Sequence, residues 1–237
     1  MSKLIFFDTE TTGNEQKDFL CQIAYKTDNE KFNGLYKPEI KIPPEASAVH
    51  HITNKMVADK IAFRESNDFL KIKKLFEDKD SIVVAHNAPF DLMIIEKENI
   101  KPNNFICTLR VARHLDPEGK IDRYNLQYLR YLLEIEIEAQ AHDALGDVLV
   151  LEQLYERLKK KMMDIEKISE TEATKKMIEI SSHPSLLRTF NFGKHNGKKI
   201  EEVAKIDRGY LDWLLSQKLA SDQIDEDWVY TLKHHLK

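Results

Sequence analysis

The sequence predicts an α/β protein with a small α+β module at its C-terminal end. An apolar run at Leu4–Phe7 has the composition of a strand that is buried on both faces. A second such run covers residues 81–86 and leads into a helical pattern with Pro89 in its first turn. Two shorter strand-like segments, 19–25 and 31–37, lie between these runs. They predict an antiparallel meander with the first strand.

Composition indicates an ordinary globular protein. The chain has 237 residues, of which 42% are hydrophobic and 32% are charged, and its formal net charge is −4. This charge gives no global indication of nucleic-acid binding, although bound metal ions can concentrate positive potential locally. Cys21 and Cys107 lie in apolar surroundings and are expected to be reduced core thiols. No signal peptide or membrane span of about 18 apolar residues is evident, so we expect a cytoplasmic protein without membrane contact.

Helical patterns occupy much of the remaining chain. Residues 38–44 contain three prolines and are expected to be irregular, and the polar stretch 159–167 is expected to be a linker or a fraying helix end. Ser169 and Glu172 fit a capping box, and Asn196-Gly197 indicates a hairpin. Helices are predicted at 67–76, 89–95, 125–133, 147–160, 169–180, 210–215 and 228–236. The predicted organisation is a main domain (1–165), a linker helix (166–184) and a small module (185–237).

Two acids follow the first strand at its carboxyl end, where open α/β sheets usually carry their sites. Asp8 and Glu10 are two residues apart, so their side chains point to the same face of the strand. Like charges at this spacing repel each other unless a cation lies between them, and carboxylate oxygens suit Mg²⁺ or Mn²⁺. The alternative is that the strand simply ends here and that both acids are solvated.

Two further acids lie at the starts of predicted helices. Asp91 is in a first turn, where an acid also complements the helix dipole without any other role. Asp147 shares a helical stripe with Leu151, Leu154 and Leu158, which predicts that it is buried. A buried carboxylate must be paired or must bind a metal, and no lysine or arginine lies at a neighbouring position on that face. We therefore expect Asp147 to bind a metal.

Three segments that contain these acids resemble the three motifs of the DEDDh family of 3′–5′ exonucleases, which includes polymerase proofreading subunits. In chain order they are Phe7–Gly13 (FDTETTG), His86–Asp91 (HNAPFD) and His142–Asp147 (HDALGD). The spacing of four residues between His142 and Asp147 matches the histidine branch of the family. The resemblance covers residues 3 to about 160.

This resemblance implies an RNase H-like fold, in which helices flank a mixed five-stranded sheet. It also implies that His142 is the general base and that the enzyme releases 5′-mononucleotides from 3′ ends. An ordinary loop histidine is the alternative for His142. The acids that the resemblance assigns to catalysis, as ligands of two Mg²⁺ or Mn²⁺ ions, are Asp8, Glu10, Asp91 and Asp147.

Four residues are candidates for substrate binding. Glu45 and His50 match substrate-contacting positions of the proofreading subunits, although ordinary loop polarity explains them equally well. Asn87 lies inside the second motif. Thr9 lies beside the acids, where its backbone is expected to contact the terminal nucleotide.

The C-terminal segment adds a second resemblance. Residues 190–198 and 207–214 resemble the tail of the exodeoxyribonuclease X branch of the family, which implies a DNA repair exonuclease acting on single strands and duplex 3′ ends. Lys194, Lys198 and Lys199 crowd the predicted hairpin tip beside two phenylalanines, and they are candidates for DNA contact. The alternative is that the phenylalanines are core and that the lysines are solvated. Helical spacing predicts that Trp213 and Leu214 are both core residues.

Two other functions remain open at this stage. An RNA-directed exoribonuclease of the same superfamily would carry the same catalytic motifs. A polymerase-associated proofreading or binding subunit, docked through its tail, is an alternative of a different class. The expected partners are therefore DNA and either a polymerase or a repair complex.

Overall fold

The computed structural model describes residues 3–137, 144–221 and 225–237. At its centre is a mixed five-stranded sheet, which confirms the predicted fold class. The strands are β1 (Lys3–Thr11), β2 (Leu20–Lys26), β3 (Lys31–Leu35), β4 (Ser81–Ala85) and β5 (Phe105–Cys107). They lie in the order β3-β2-β1-β4-β5. The first three strands form the predicted antiparallel meander, whereas β1, β4 and β5 run parallel to one another.

The predicted helices are present, and further helices form, among them Pro44–His50 and Ile200–Ile206. Of the segment 38–44, which was expected to be irregular, only Pro44 is helical, at a first-turn position that tolerates proline. The long helix predicted to end near Lys160 continues to Glu166. The described helices are α1 (Pro44–His50), α2 (Asn54–Val57), α3 (Asn67–Phe76), α4 (Ala88–Lys97), α5 (Thr108–His114), α6 (Leu126–Leu132), α7 (Ala144–Glu166), α8 (Glu170–Ser181), α9 (Ile200–Ile206), α10 (Arg208–Ala220) and α11 (Glu226–His235).

Alternating side chains of β1 enter two different cores. Phe6 packs in the core that contains the apolar residues of α7, whereas Ile5 and Phe7 pack in the core that contains those of α3 and α4. Because side chains alternate along a strand, Asp8 and Glu10 continue the Phe6 face toward α7. The sheet thus presents both acids to the helix that carries Asp147.

The segment between the two predicted domains is a packed helix. The predicted capping box is present at Ser169 and Glu172 and starts α8. Ala173 and Met177 of this helix belong to the same core as Phe6. The segment therefore contributes to the core of the main domain and also leads to the C-terminal module. The domain boundaries at residues 165 and 185 stay a prediction.

The C-terminal module has its own core around Phe190, Leu211, Leu214 and Trp228. Asn196-Gly197 forms a turn with positive φ at the glycine, but only the isolated bridge between Thr189 and Lys199 resembles a hairpin. A short 3₁₀ turn at 193–195 lies within the loop. The predicted hairpin is therefore present only as one short antiparallel pairing, closed by a loop longer than the two residues Asn196-Gly197.

Two predictions about buried residues have different outcomes. Cys21 and Cys107 are both buried free thiols, as expected, and burial raises the pKa of Cys21 to about 12. Leu214 is buried, but the prediction that Trp213 is core was wrong, since its side chain is 54% exposed. The indole packs against the ring of Tyr210, with centroids 5.5 Å apart.

Among the helices of the described residues, none is long and apolar enough to cross a membrane.

Candidate active site

Three of the predicted metal ligands converge at one edge of the sheet. Carboxylate oxygens of Asp8, Glu10 and Asp147 all lie within 4.8 Å of one another. Asp8 and Glu10 come from the carboxyl end of β1, and Asp147 comes from the first turn of α7. Three anionic groups this close favour a cation between them, and an all-oxygen donor set fits Mg²⁺ or Mn²⁺.

Asp147 is held by a neighbouring helix. The carboxylate is buried, as its place on the apolar stripe predicted. Gln127 of α6 donates from Nε2 to Oδ1 of Asp147 over 2.5 Å. This bond fixes the orientation of the carboxylate, because α6 is itself anchored by Asn125, whose side chain caps the helix at the backbone N–H of Tyr128.

Asp91 lies outside this three-acid cluster and contacts β1 at Thr9. The backbone N–H and the hydroxyl of Thr9 both donate to Oδ1 of Asp91, over 3.1 Å and 2.7 Å. Both Thr9 bonds are thus accepted by the same carboxylate oxygen. Burial raises the pKa of Asp91 to about 7, against the lowering effect of the two Thr9 bonds. The structure thus brings together Asp8, Glu10 and Asp147. The fourth predicted acid, Asp91, is hydrogen-bonded to Thr9, which lies between Asp8 and Glu10 in β1.

The first two residues of the second motif differ in exposure, since His86 is half-buried and Asn87 is exposed. His86 donates from Nε2 to the carbonyl of Tyr124 over 2.7 Å, and its Nδ1 lies 2.9 Å from the hydroxyl of Thr108. Burial lowers the pKa of His86 to about 4, so the ring is neutral and accepts from this hydroxyl through Nδ1. Asn87 follows in the left-handed conformation, with φ of 62°, and its exposed side chain makes no capping bond to α4.

His50 joins α1 to the end of β1. Its Nε2 lies 3.1 Å from the carbonyl of Thr11, and its Nδ1 accepts from the N–H of Ile52 over 3.0 Å. These partners select the neutral tautomer with the proton on Nε2, and burial lowers the pKa of the ring. Glu45 is exposed in the first turn of the same helix.

The remaining predicted site residues lie elsewhere. His142 falls outside the described residues. In the C-terminal module, Lys194 pairs with Asp207 over 2.7 Å and lies over the ring of Tyr210. Lys198 and Lys199 are exposed. Of the flanking rings, Phe190 is buried and Phe192 is partly buried against the same core, which agrees with the alternative considered for the two phenylalanines.

Sequence reasoning missed one residue that orients the acids and the role of another. The Gln127 amide contacts Asp147, and Thr9, a candidate for substrate binding, contacts Asp91 through its side chain and backbone. A glutamine in a helix is common, so position 127 carried no distinguishing pattern. Both contacts join residues that are far apart in the chain.

Comparison with family models matches both parts of the chain. A model described as "Exonuclease" matches residues 5–155. A second model, described as "Exodeoxyribonuclease X-like C-terminal", matches residues 190–218.

Curated relatives agree with these matches. Exodeoxyribonuclease 10 of Escherichia coli (strain K12) is 33% identical over 204 residues, which cover 86% of this chain and 83% of that protein. DNA polymerase III subunit epsilon of Treponema pallidum (strain Nichols) is 31% identical over 162 residues, which cover 63% of this chain and 73% of that protein.

Solved structures share the fold. The structure of exonuclease X in complex with 5′ overhanging duplex DNA matches with a TM-score of 0.57 at 26% identity, covering 75% of this chain and 99% of that chain. The structure of E. coli exonuclease I in complex with a dT13 oligonucleotide matches with a TM-score of 0.60 at 22% identity, covering 70% of this chain and 43% of that chain. At this identity the second match shows the fold alone.

Proposed function

The chain belongs to the exonuclease family, and on this basis we propose that it is a metal-dependent exonuclease that removes 5′-mononucleotides from the 3′ ends of DNA. Family membership makes the chain a nuclease that hydrolyses phosphodiester bonds. The observation that carries the proposal is the cluster of Asp8, Glu10 and Asp147 at the carboxyl end of β1.

We assign divalent-ion binding to the three clustered acids and to Asp91. The cluster offers only carboxylate oxygens, a donor set typical of Mg²⁺ and Mn²⁺. Asp91 accepts two hydrogen bonds at Oδ1 from Thr9, the residue between the two β1 acids. Two bound ions would supply an activated water and stabilise negative charge on the attacking and leaving oxygens.

The other residues position the reactants and move a proton. In this proposal His142 takes a proton from the attacking water and so acts as the general base. Gln127 keeps Asp147 oriented toward the other acids. Asn87, which follows β4, and Glu45, in the first turn of α1, present exposed polar groups and are assigned to substrate contact. His50 orders the chain around Thr11 through its two ring nitrogens.

DNA is favoured over RNA as the substrate. The similarity to exodeoxyribonuclease 10 extends over 86% of the chain, and the exonuclease X structure contains duplex DNA. The match to the exodeoxyribonuclease X-like C-terminal family supports a repair exonuclease with the same two-part organisation. Both single strands and duplex 3′ ends are proposed substrates.

A proofreading subunit is the second candidate function. The similarity to DNA polymerase III subunit epsilon over 63% of this chain favours it. This candidate requires a stable polymerase complex. Co-purification of the chain with a polymerase from its own cells would support it.

The direction of digestion is the first prediction. A DNA strand labelled at its 5′ end should yield a descending ladder with Mg²⁺, and a bulky group on its 3′ end should stop digestion. The reason is that the proposed site accepts only a terminal nucleotide. Gel analysis of blocked and unblocked strands measures this, with the same strand blocked at its 5′ end as the control. Cleavage of a closed circular single strand would contradict the proposal.

A further inference from the structure

A large groove separates the C-terminal module from the exonuclease domain. Its volume is about 1310 Å³, which exceeds the ~300–1,000 Å³ of a usual small-molecule pocket. One end is lined by Asn14–Gln16, directly after β1, and by Asn87–Phe90, directly after β4. Both segments leave the sheet at the edge that carries Asp8 and Glu10. The groove therefore begins at the sheet edge that carries the candidate active site, and its volume is large enough for several nucleotides.

The far wall of the groove is fixed in place by buried ion pairs. Asp227 of α11 pairs with Arg113 and lies 3.4 Å from Nε of Arg110, both on α5. Arg110 also pairs with Glu226 over 2.7 Å and donates to the carbonyl of Ser181. Arg110 and Asp227 are both buried. The C-terminal module is thus docked on α5 and forms one wall of the groove.

Two arginines from different parts of the chain line this groove. Arg123 belongs to the loop between α5 and α6, and Arg188 belongs to the C-terminal module. Both side chains are exposed, and within the described parts of the chain neither guanidinium has an ion-pair partner. The stem of Arg188 is held by Gly119, where φ is +67° and an added Cβ would lie 3.1 Å from Cβ of Arg188. This close approach places the backbone of Arg188 beside the loop between α5 and α6, which also carries Arg123.

The other charges of the groove are largely compensated within the protein. Arg110 and Arg113 pair with acids of α11, and Lys218 pairs with Asp225 over 3.2 Å. Asp116 accepts two backbone N–H groups and the hydroxyl of Tyr124. Asp122 is an exposed acid of the same lining and reduces the positive charge beside Arg123. The two arginines remain the cations that are free to meet a ligand.

The basic tip of the module lies away from this groove. Lys194, Lys198 and Lys199 are absent from the lining that the described residues form. Lys194 is moreover paired with Asp207. Arg123 and Arg188 line the groove and the tip lysines do not, so the two sites can be tested separately.

We propose that this groove holds the DNA strand upstream of the reacting 3′ end, and that Arg123 and Arg188 contact its phosphates. The inference rests on the proposed function and extends it to the C-terminal module. Guanidinium groups bind phosphate oxygens through two parallel hydrogen bonds. The partly exposed ring of Tyr124, which also lines the groove, offers a surface on which a base can stack.

A pair of double variants tests the groove. Arg123→Ala with Arg188→Ala removes both proposed contacts, and alanine at 188 keeps the Cβ that packs against Gly119. Lys198→Ala with Lys199→Ala removes the same charge from the tip of the module. Both are made in an Asp8→Ala background to prevent cleavage. The probe is a single strand of about 12 nucleotides, within the span of known single-strand sites.

Affinity is measured at several salt concentrations. The groove variant should bind about tenfold or more weakly at low salt, because two phosphate contacts are lost. The slope of log K against log salt should become less negative by about 1.4, which is about 0.7 for each lost phosphate contact to a single strand. The tip variant should match the Asp8→Ala parent in both quantities. Equal binding by all three proteins, or weaker binding by the tip variant alone, would overturn the inference.

Failure of the groove can be told apart from failure of the proposed function. Hydrolysis of the same strand by the unmodified protein with Mg²⁺ tests the function, whereas binding in the Asp8→Ala background requires no turnover. A protein that degrades the strand but whose variants all bind alike retains the proposed function and loses the groove. Circular dichroism of both double variants confirms that the fold is retained.

Discussion

Replacing Asp8 with alanine should abolish DNA hydrolysis, with a loss of more than about 10³-fold in rate. Removing a residue that merely supports a metal ligand usually costs about 10–100-fold, and Asp8 is proposed as a ligand itself. The fold should persist, because Asp8 lies with Glu10 and Asp147 within 4.8 Å and its loss relieves repulsion between like charges. Single-turnover rates on a labelled strand, together with Mn²⁺ titration of the protein, measure both effects.

His142→Ala is the matched comparison for Asp8→Ala. Loss of a general base typically lowers the rate by about 10²–10⁴-fold. Mn²⁺ affinity should be mostly retained, since the proposed ligands are untouched. Asp8→Ala, in contrast, should lose both metal affinity and rate. Metal affinity unchanged by Asp8→Ala would show that the three-acid cluster does not hold the ion.

Replacing Asp227 with alanine should destabilise the protein by about 3–5 kcal/mol, the usual cost of leaving buried charges without their partner. Arg110 and Arg113 both contact this carboxylate, and Arg110 is only 4% exposed. Asp227 also accepts from the backbone N–H of Ser185 over 2.8 Å. The loss should therefore loosen the docking of the C-terminal module on α5.

Asp225→Ala is the control for this change, two residues away in the chain. Asp225 caps α11 at the N–H of Trp228, and removing a cap costs about 1 kcal/mol. Urea denaturation followed by tryptophan fluorescence is informative, because Trp213 and Trp228 both lie in the C-terminal module. Equal destabilisation by the two variants would mean that the buried ion pairs do not hold the module in place.

The sheet and the acid cluster were predictable because they follow from local periodicity. Alternation along β1 placed Asp8 and Glu10 on one face, and the apolar stripe of α7 placed Asp147 inside. These rules act over a few residues, and a parallel sheet brings the carboxyl ends of its strands to one edge. The predicted exonuclease family is confirmed by the family match and the relatives.

The remaining features depend on contacts between distant parts of the chain. Asp91 bonds Thr9 across 82 positions, and Arg113 bonds Asp227 across 114. No local pattern encodes such pairs, so neither the partner of Asp91 nor the groove could be foreseen. Trp213 shows the limit of periodicity within one helix. Its spacing from Tyr210 fits an apolar stripe, but α10 buries Leu211 and Leu214 instead.

The central claim is that a carboxylate-bound divalent ion drives hydrolysis of DNA from its 3′ end. The most direct measurement incubates matched 5′-labelled DNA and RNA strands with the purified protein, in Mg²⁺ or in excess chelator. We predict a ladder of shortened DNA with Mg²⁺, much slower loss of RNA, and no digestion of either strand with chelator. Undiminished digestion of DNA in excess chelator, or digestion of RNA alone, would contradict the account.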